Sequence, residues 1–165
     1  TNLGLLRYAR DHAPSGVEIE LADLHDVPFY NADIQEIPAS VQKLKDSIEK
    51  ADALLLGCPE YNYSLAPPLK NALDWASRAP ENQLLAGKPV AILGSGGGLG
   101  TARAQYHLRQ VCVFLDLHPL NKPEIFSYAY SGSFDEQGNV VDQELQQRIV
   151  EQMLALQAWA RTIHT

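Results

Sequence analysis

Apolar residues at Leu3, Leu5, Leu6 and Ala9 recur at helical spacing and predict an amphipathic helix over Asn2–His12, ended by Pro14-Ser15-Gly16. The period then changes to two. Val17-Glu18-Ile19-Glu20-Leu21 alternates cleanly and Ala22-Asp23-Leu24 continues it, so a strand is predicted there. Residues 26–39, with Pro28 and Pro38, read as a loop. Ser40 is expected to cap a helix that presents Val41, Leu44 and Ile48 on one face as far as Lys50. The run Asp52-Ala53-Leu54-Leu55-Leu56-Gly57-Cys58 has the pattern of a strand buried on both faces. A polar, aromatic loop over 59–66 follows, and Pro67-Pro68 opens a helix whose body is Leu69–Arg78.

Pro89-Val90-Ala91-Ile92-Leu93 repeats the buried-strand pattern and runs into the glycine-rich loop Gly94-Ser95-Gly96-Gly97-Gly98-Leu99-Gly100. A helix is predicted over Thr101–Phe114 and a strand over Leu115–Leu120, continued by Pro123-Glu124-Ile125-Phe126. Asp135-Glu136-Gln137-Gly138-Asn139 reads as an exposed turn. Asp142 starts a last helix with Leu145, Ile149, Met153, Leu156 and Trp159 on one face. Strands that alternate with helices imply right-handed crossovers and a parallel sheet covered on both faces, a doubly wound α/β sandwich. In that architecture ligands bind beyond the carboxyl ends of the strands. The loops 59–66 and 94–100 lie there.

Composition narrows the function classes. A chain of 165 residues, 45% hydrophobic, suits a single domain with one core. A net charge of −7 argues against nucleic-acid and anionic-membrane partners, which need a face rich in Lys and Arg. Cys58 and Cys112 each sit in an apolar stretch, which fits buried thiols in a reducing compartment rather than a disulfide. The histidines lack zinc-ligand spacing, and no metal site is expected. No apolar run approaches the roughly 18 residues of a membrane span, and Thr1–Arg7 lacks the basic start of a signal peptide. A cytoplasmic setting is the expectation.

Several catalytic patterns fail on inspection. Gly-x-Gly-x-x-Gly breaks in both frames, at Leu99 and at Thr101, so the dinucleotide fingerprint is missing. The Gly87-Lys88 pair precedes a strand instead of following one, which excludes a P-loop. Ser95 has Leu93 where a nucleophile elbow needs glycine, and a Cys-x5-Arg loop at Cys58 would need arginine in place of Ser64. What remains is bare backbone at one strand end, able to approach a flat ligand, and Tyr61, Asn62 and Tyr63 at another. Together they suit a planar heterocycle.

Pro59-Glu60-Tyr61-Asn62-Tyr63-Ser64 and Leu69-Lys70-Asn71-Ala72-Leu73-Asp74-Trp75 closely resemble the signature of the NADPH-dependent FMN reductase family, most of all its plant quinone reductases and bacterial chromate and quinone reductases. The likeness continues through Arg103-Ala104-Gln105-Tyr106-His107-Leu108-Arg109-Gln110 and Asn121-Lys122-Pro123-Glu124. The resemblance implies a flavodoxin-like, three-layer α/β/α fold that binds FMN. Pro59, Glu60, Tyr61 and Asn62 would lie along the flavin ring, with Ser95, Gly96, Gly97 and Gly98 near its other side. It also implies a homodimer or tetramer with Arg103, Tyr106 and Glu124 at subunit contacts. Family members open with a strand and a phosphate-binding loop, of which this sequence has only the end, Thr1-Asn2. The domain over 1–165 is therefore expected to be N-terminally incomplete, with Asn2 and the first helical N–H groups facing the FMN phosphate. The implied activity is ping-pong hydride transfer from NADPH or NADH to a quinone or other small electron acceptor. A flavin-binding electron carrier and a reductase that releases reduced flavin are the alternatives.

Overall fold

The computed structural model describes residues 1–79 and 83–164. The first two helical patterns form α1 (Asn2–Asp11) and α2 (Ala39–Lys50). Ser40 does not cap α2, contrary to expectation. It lies inside the first turn, behind the N-cap Pro38, and its hydroxyl donates to the Asp26 carbonyl at 2.8 Å. β1 (Leu54–Gly57) leads into a small hairpin of β2 (Glu60–Tyr61) and β3 (Ser64–Leu65), where composition predicts only a loop. α3 (Pro67–Ala76) keeps its prolines in the first turn, where a missing N–H breaks no helical bond. β4 (Pro89–Gly96) and α4 (Ala102–Leu115) follow, then the short strands β5 (His118–Pro119) and β6 (Ile125–Tyr128). Asp142 caps α5 (Gln143–Ile163) by accepting the Leu145 N–H at 2.7 Å.

β4 is the centre of the sheet. It pairs in parallel with β1 on one side; on the other, β5 lies beside its first half and β6 beside its second. Period two sorts its side chains: Val90 and Ile92 pack with α3 and α4, Ala91 and Leu93 with α1 and α5. Helices thus cover both faces, as a doubly wound sheet requires. Burying a side chain such as Leu93 stabilises the fold by roughly 1.5–3 kcal/mol. Gln152 on α5 reaches this layer, donating to the Ile92 and Pro123 carbonyls at 3.0 and 2.9 Å. Trp75 and Asn71 on α3 hold the irregular segment before α2. Their side-chain N–H groups donate to the Pro28 carbonyl at 2.7 and 2.9 Å, and Asn71 Oδ1 accepts the Tyr30 N–H at 2.8 Å.

The structure departs from the sequence reading elsewhere as well. Residues 17–22 keep the alternation of burial, which breaks at Asp23, and Ile19 packs on the α1–α5 core, but the segment pairs with no strand among the described residues. Period two tells which side chains turn inward; it does not supply a partner. β1 is half-buried instead of fully buried, because it forms an edge of the sheet among the described residues. The strand expected over Leu115–Leu120 is only β5, since α4 runs through Leu115 and ends at Asp116 in a left-handed conformation (φ 52°). The following Pro123–Phe126 stretch yields a separate strand, β6.

Candidate functional site

The carboxyl ends of β1, β4 and β6 converge on one edge of the sheet. Past β1, the Cys58 N–H extends the ladder to the Leu93 carbonyl at 2.8 Å, and Pro59 turns the chain into the hairpin. The two residues at its tip, Asn62 and Tyr63, have φ of 50° and 70°, the left-handed pair that a two-residue hairpin turn demands. Tyrosine adopts that region rarely. Tyr61 is 59% exposed and Tyr63 65% exposed, so the hairpin presents aromatic surface to solvent.

Glu60 behaves differently from its neighbours. Its side chain is only 5% exposed. One carboxylate oxygen accepts from Arg103 Nε at 2.7 Å and also meets Arg103 Nη2; the other accepts the Ala104 N–H at 3.2 Å. The Arg103 guanidinium lies 3.6 Å from the centre of the Tyr63 ring. Hydrogen bonding to Glu60 raises the pKa of that guanidinium further above its ordinary value. Ser64 touches the same helix, its hydroxyl 3.2 Å from His107 Nδ1.

Past β4, the glycine-rich segment divides. Gly94, Ser95 and Gly96 belong to the strand and pair with Phe126, Ser127 and Tyr128 of β6. Gly97, Gly98 and Leu99 form an exposed turn that closes with the Gly100 N–H donating to the Gly97 carbonyl at 2.7 Å. A Cβ on Gly94 would collide with Thr101 Oγ1 and lie 2.5 Å from the Cys58 carbonyl oxygen, so only glycine allows β4, α4 and the exit of β1 to meet so closely. Gly97 and Gly98 face open space. Asn2 closes the arrangement from α1: its side-chain N–H donates to the Ser95 carbonyl at 2.7 Å, and the Ser95 N–H donates to Asn2 Oδ1 at 2.8 Å. This exchange sets the start of α1, with its free N–H groups, at the same edge. The Ser95 side-chain oxygen is buried and has no hydrogen-bond partner among the described residues.

The structure therefore brings Asn2, Pro59, Glu60, Tyr61, Asn62, Ser95, Gly96, Gly97 and Gly98 to one edge, with the Glu60 carboxylate and the Asn2 amide engaged inside the chain. Tyr106 OH and Glu124 Oε1 are 3.5 Å apart on the outer side of α4, while Arg103 is committed to Glu60. Sequence reasoning missed Thr101 and Gln105. Gln105 is buried and donates to Thr101 Oγ1 at 2.9 Å and to the Ile125 carbonyl at 2.8 Å, locking the glycine turn to β6. Their spacing of four on a helix was the available signal. A groove of about 560 Å³ between α3 and α4 reaches the base of the hairpin at Leu65 but not the glycine turn; Lys70, Asp74, His107 and Phe114 line it from the two helices. Burial pushes the Cys58 thiol up to about 12, with the Glu60 charge adding to the effect, and Cys112 up to about 11. Neither is a nucleophile at neutral pH. Among the described residues no cluster could hold a metal ion, and no helix is long and apolar enough to cross a membrane.

The model of the NADPH-dependent FMN reductase family matches residues 1–131, which include both loops. An NAD(P)H-dependent FMN reductase of Pseudomonas aeruginosa is 51% identical, over 98% of this chain and 89% of its own length. An NADPH:quinone oxidoreductase of Arabidopsis thaliana is 45% identical, over 94% and 83% of the two chains. A quinone reductase of Escherichia coli is also 45% identical, over 87% and 79%. Among solved structures, the flavoenzyme NAD(P)H:(acceptor) oxidoreductase FerB of Paracoccus denitrificans superposes with a TM-score of 0.87 at 31% identity, covering 98% of this chain and 90% of that one. With its sheet covered on both faces and its glycine turn and aromatic hairpin at the strand ends, this chain belongs to the NADPH-dependent FMN reductase family.

Proposed function

We propose that the protein is an FMN-dependent oxidoreductase that passes two electrons from NAD(P)H to quinones. The observation that carries this reading is the pairing of an exposed aromatic hairpin with an open glycine turn at one sheet edge, in a chain whose relatives are named as NAD(P)H-dependent FMN and quinone reductases. The residues present fit a flavin. Ser95 Oγ is a buried hydroxyl lacking a partner among the described residues, Gly97 and Gly98 leave space that a Cβ would fill, and the exposed Tyr61 stands on the hairpin that follows the neighbouring strand β1.

In this reading Pro59, Glu60, Tyr61 and Asn62 flank the ring through main chain and aromatic surface, and the N–H groups of Gly97 and Gly98 are free of side-chain obstruction. Asn2 places the first turn of α1, whose N–H groups favour an anion, beside Ser95. Bound FMN would supply the chemistry, accepting hydride from the nicotinamide and delivering it to the acceptor. The protein's share is stacking surface at Tyr61 and Tyr63, polar contacts at the ring edge and exclusion of water from one ring face. Mixing FMN-loaded protein with NADPH or NADH and a benzoquinone tests the proposal. Quinone-dependent consumption of the nicotinamide is expected, and its absence overturns the reading.

We also propose a homo-oligomer, dimer or tetramer, formed through the outer face of α4. The exposed side chains of Tyr106, Val113 and Phe114, with Glu124 beside Tyr106, support that face. Light scattering in solution should report a multiple of the chain mass. A reducing, cytoplasmic setting is proposed on the strength of the two free, buried thiols.

A further inference from the structure

We propose that Glu60 and Arg103 form a clamp that sets the distance between the hairpin and the glycine turn, and through it the affinity for flavin. The inference rests on the functional reading above and assigns Arg103 a positioning role within its own chain.

α4 starts without a side-chain cap of its own. Its N-cap residue, Thr101, uses its hydroxyl to accept from Gln105 Nε2 at 2.9 Å instead of capping the backbone. Glu60 fills the gap from a distant part of the chain, taking the Ala104 N–H at 3.2 Å. A carboxylate there meets both a free helical N–H and the positive end of the helix dipole. Its second oxygen takes the Arg103 fork, so a nearly buried charge has both oxygens in use. Such a charge is tolerated only when so paired. The flat face of the same guanidinium covers Tyr63, which holds the left-handed φ of 70° that the hairpin tip requires.

The location gives these contacts their meaning. α4 follows directly on the glycine turn, and Ala104, Leu108 and Cys112 fix it in the core. The glycine turn is thus joined to the first turn of α4 by the chain itself, and the hairpin is joined to it by the clamp. Both walls of the proposed ring site take their position from one rigid helix end. Without the clamp, the hairpin keeps its short β2–β3 pairing, the packing of Leu65 against the core and the Ser64–His107 contact. Lysine in place of arginine keeps the charge but loses both the fork and the flat surface over Tyr63.

The test is FMN affinity, followed by quenching of flavin fluorescence, in the wild type, Arg103→Lys, Glu60→Gln and the double variant, with the thermal midpoint of each FMN-free protein measured alongside. Each single substitution is expected to weaken FMN binding about tenfold, as loss of a charge-assisted contact does. The double variant should be no worse than the weaker single one, because either change opens the clamp. The FMN-free midpoints should shift by less than about 4 °C. Affinities within twofold of wild type, additive losses in the double variant, or midpoints that fall by more than this would overturn the clamp. Wild-type protein that takes up no FMN removes both this inference and the functional reading. Uptake of FMN without quinone reduction removes the functional reading alone, and the clamp is then still decided by the affinities.

Discussion

The two loops at the carboxyl ends of β1 and β4 are held in different ways. The hairpin after β1 is fastened by side chains: Glu60 on Arg103 and Ala104, Tyr63 beneath the guanidinium, Ser64 against His107. The turn after β4 leans instead on missing side chains, since Gly94 and Gly100 let strand, helix and β6 approach to distances that a methyl group would forbid, and Gln105 adds its side-chain lock to β6. The first arrangement fails when a polar atom is removed, the second when an atom is added. A site with one wall of each kind can present aromatic surface on one side and bare backbone on the other.

The largest effect should come from Gly94→Ala. Its Cβ would meet Thr101 Oγ1 and the Cys58 carbonyl, and the latter is backbone that cannot rotate away, so a loss of about 3 kcal/mol is expected in denaturant unfolding. Gly100→Ala comes next at about 2 kcal/mol, combining a φ of 58° with a Cβ 2.9 Å from the Phe126 carbonyl carbon. A loss below about 0.5 kcal/mol in both would show that the turn does not depend on missing side chains. Gly97→Ala separates site from scaffold. Nothing lies within 4 Å of its Cβ, so stability should change by no more than about 0.5 kcal/mol, while FMN affinity drops several-fold as the methyl enters the ring space.

The smallest effect concerns the joint between the loops. Cys58 leads into the hairpin, and its carbonyl abuts the Gly94 position. Burial raises its folded pKa to about 12 against an ordinary value of 9.0. The unfolded chain therefore loses the proton first as pH rises. Stability is unaffected below about 9 and should fall between that and about 12, with Cys112 acting likewise up to about 11. An alkylating reagent at pH 8 should accordingly modify neither thiol until the protein unfolds. Rapid labelling of the folded form would mean that the joint opens readily.

Local signals were legible where one residue type settles a boundary. Pro67-Pro68 marks the start of α3, Asp142 caps α5, and helical spacing from Leu3 to Ala9 gives α1 to within one residue of its end. Ser40 misled because Asp26, in a separate segment, competes for its hydroxyl. Val17–Leu24 misled because alternation reports burial without reporting a partner strand. The glycine-rich stretch has the composition of one loop, yet Gly94–Gly96 extends β4, since pairing with β6 overrides weak strand propensity. At the site, the hairpin and the glycine turn could be placed from sequence by their position after strands. The Glu60–Arg103 pair and the Asn2–Ser95 exchange could not, because each joins residues far apart in sequence through the packing of three layers.

The anchoring of Pro28 by the Trp75 indole has an optical consequence. The chain contains two tryptophans. Trp75 belongs to α3 on one face of the sheet, with its indole N–H on the Pro28 carbonyl, and Trp159 belongs to α5 on the other, with its N–H on the His118 carbonyl at 3.0 Å. Each helical layer thus contains its own fluorophore. Replacing either indole by phenylalanine leaves an emission signal that reports one layer at a time.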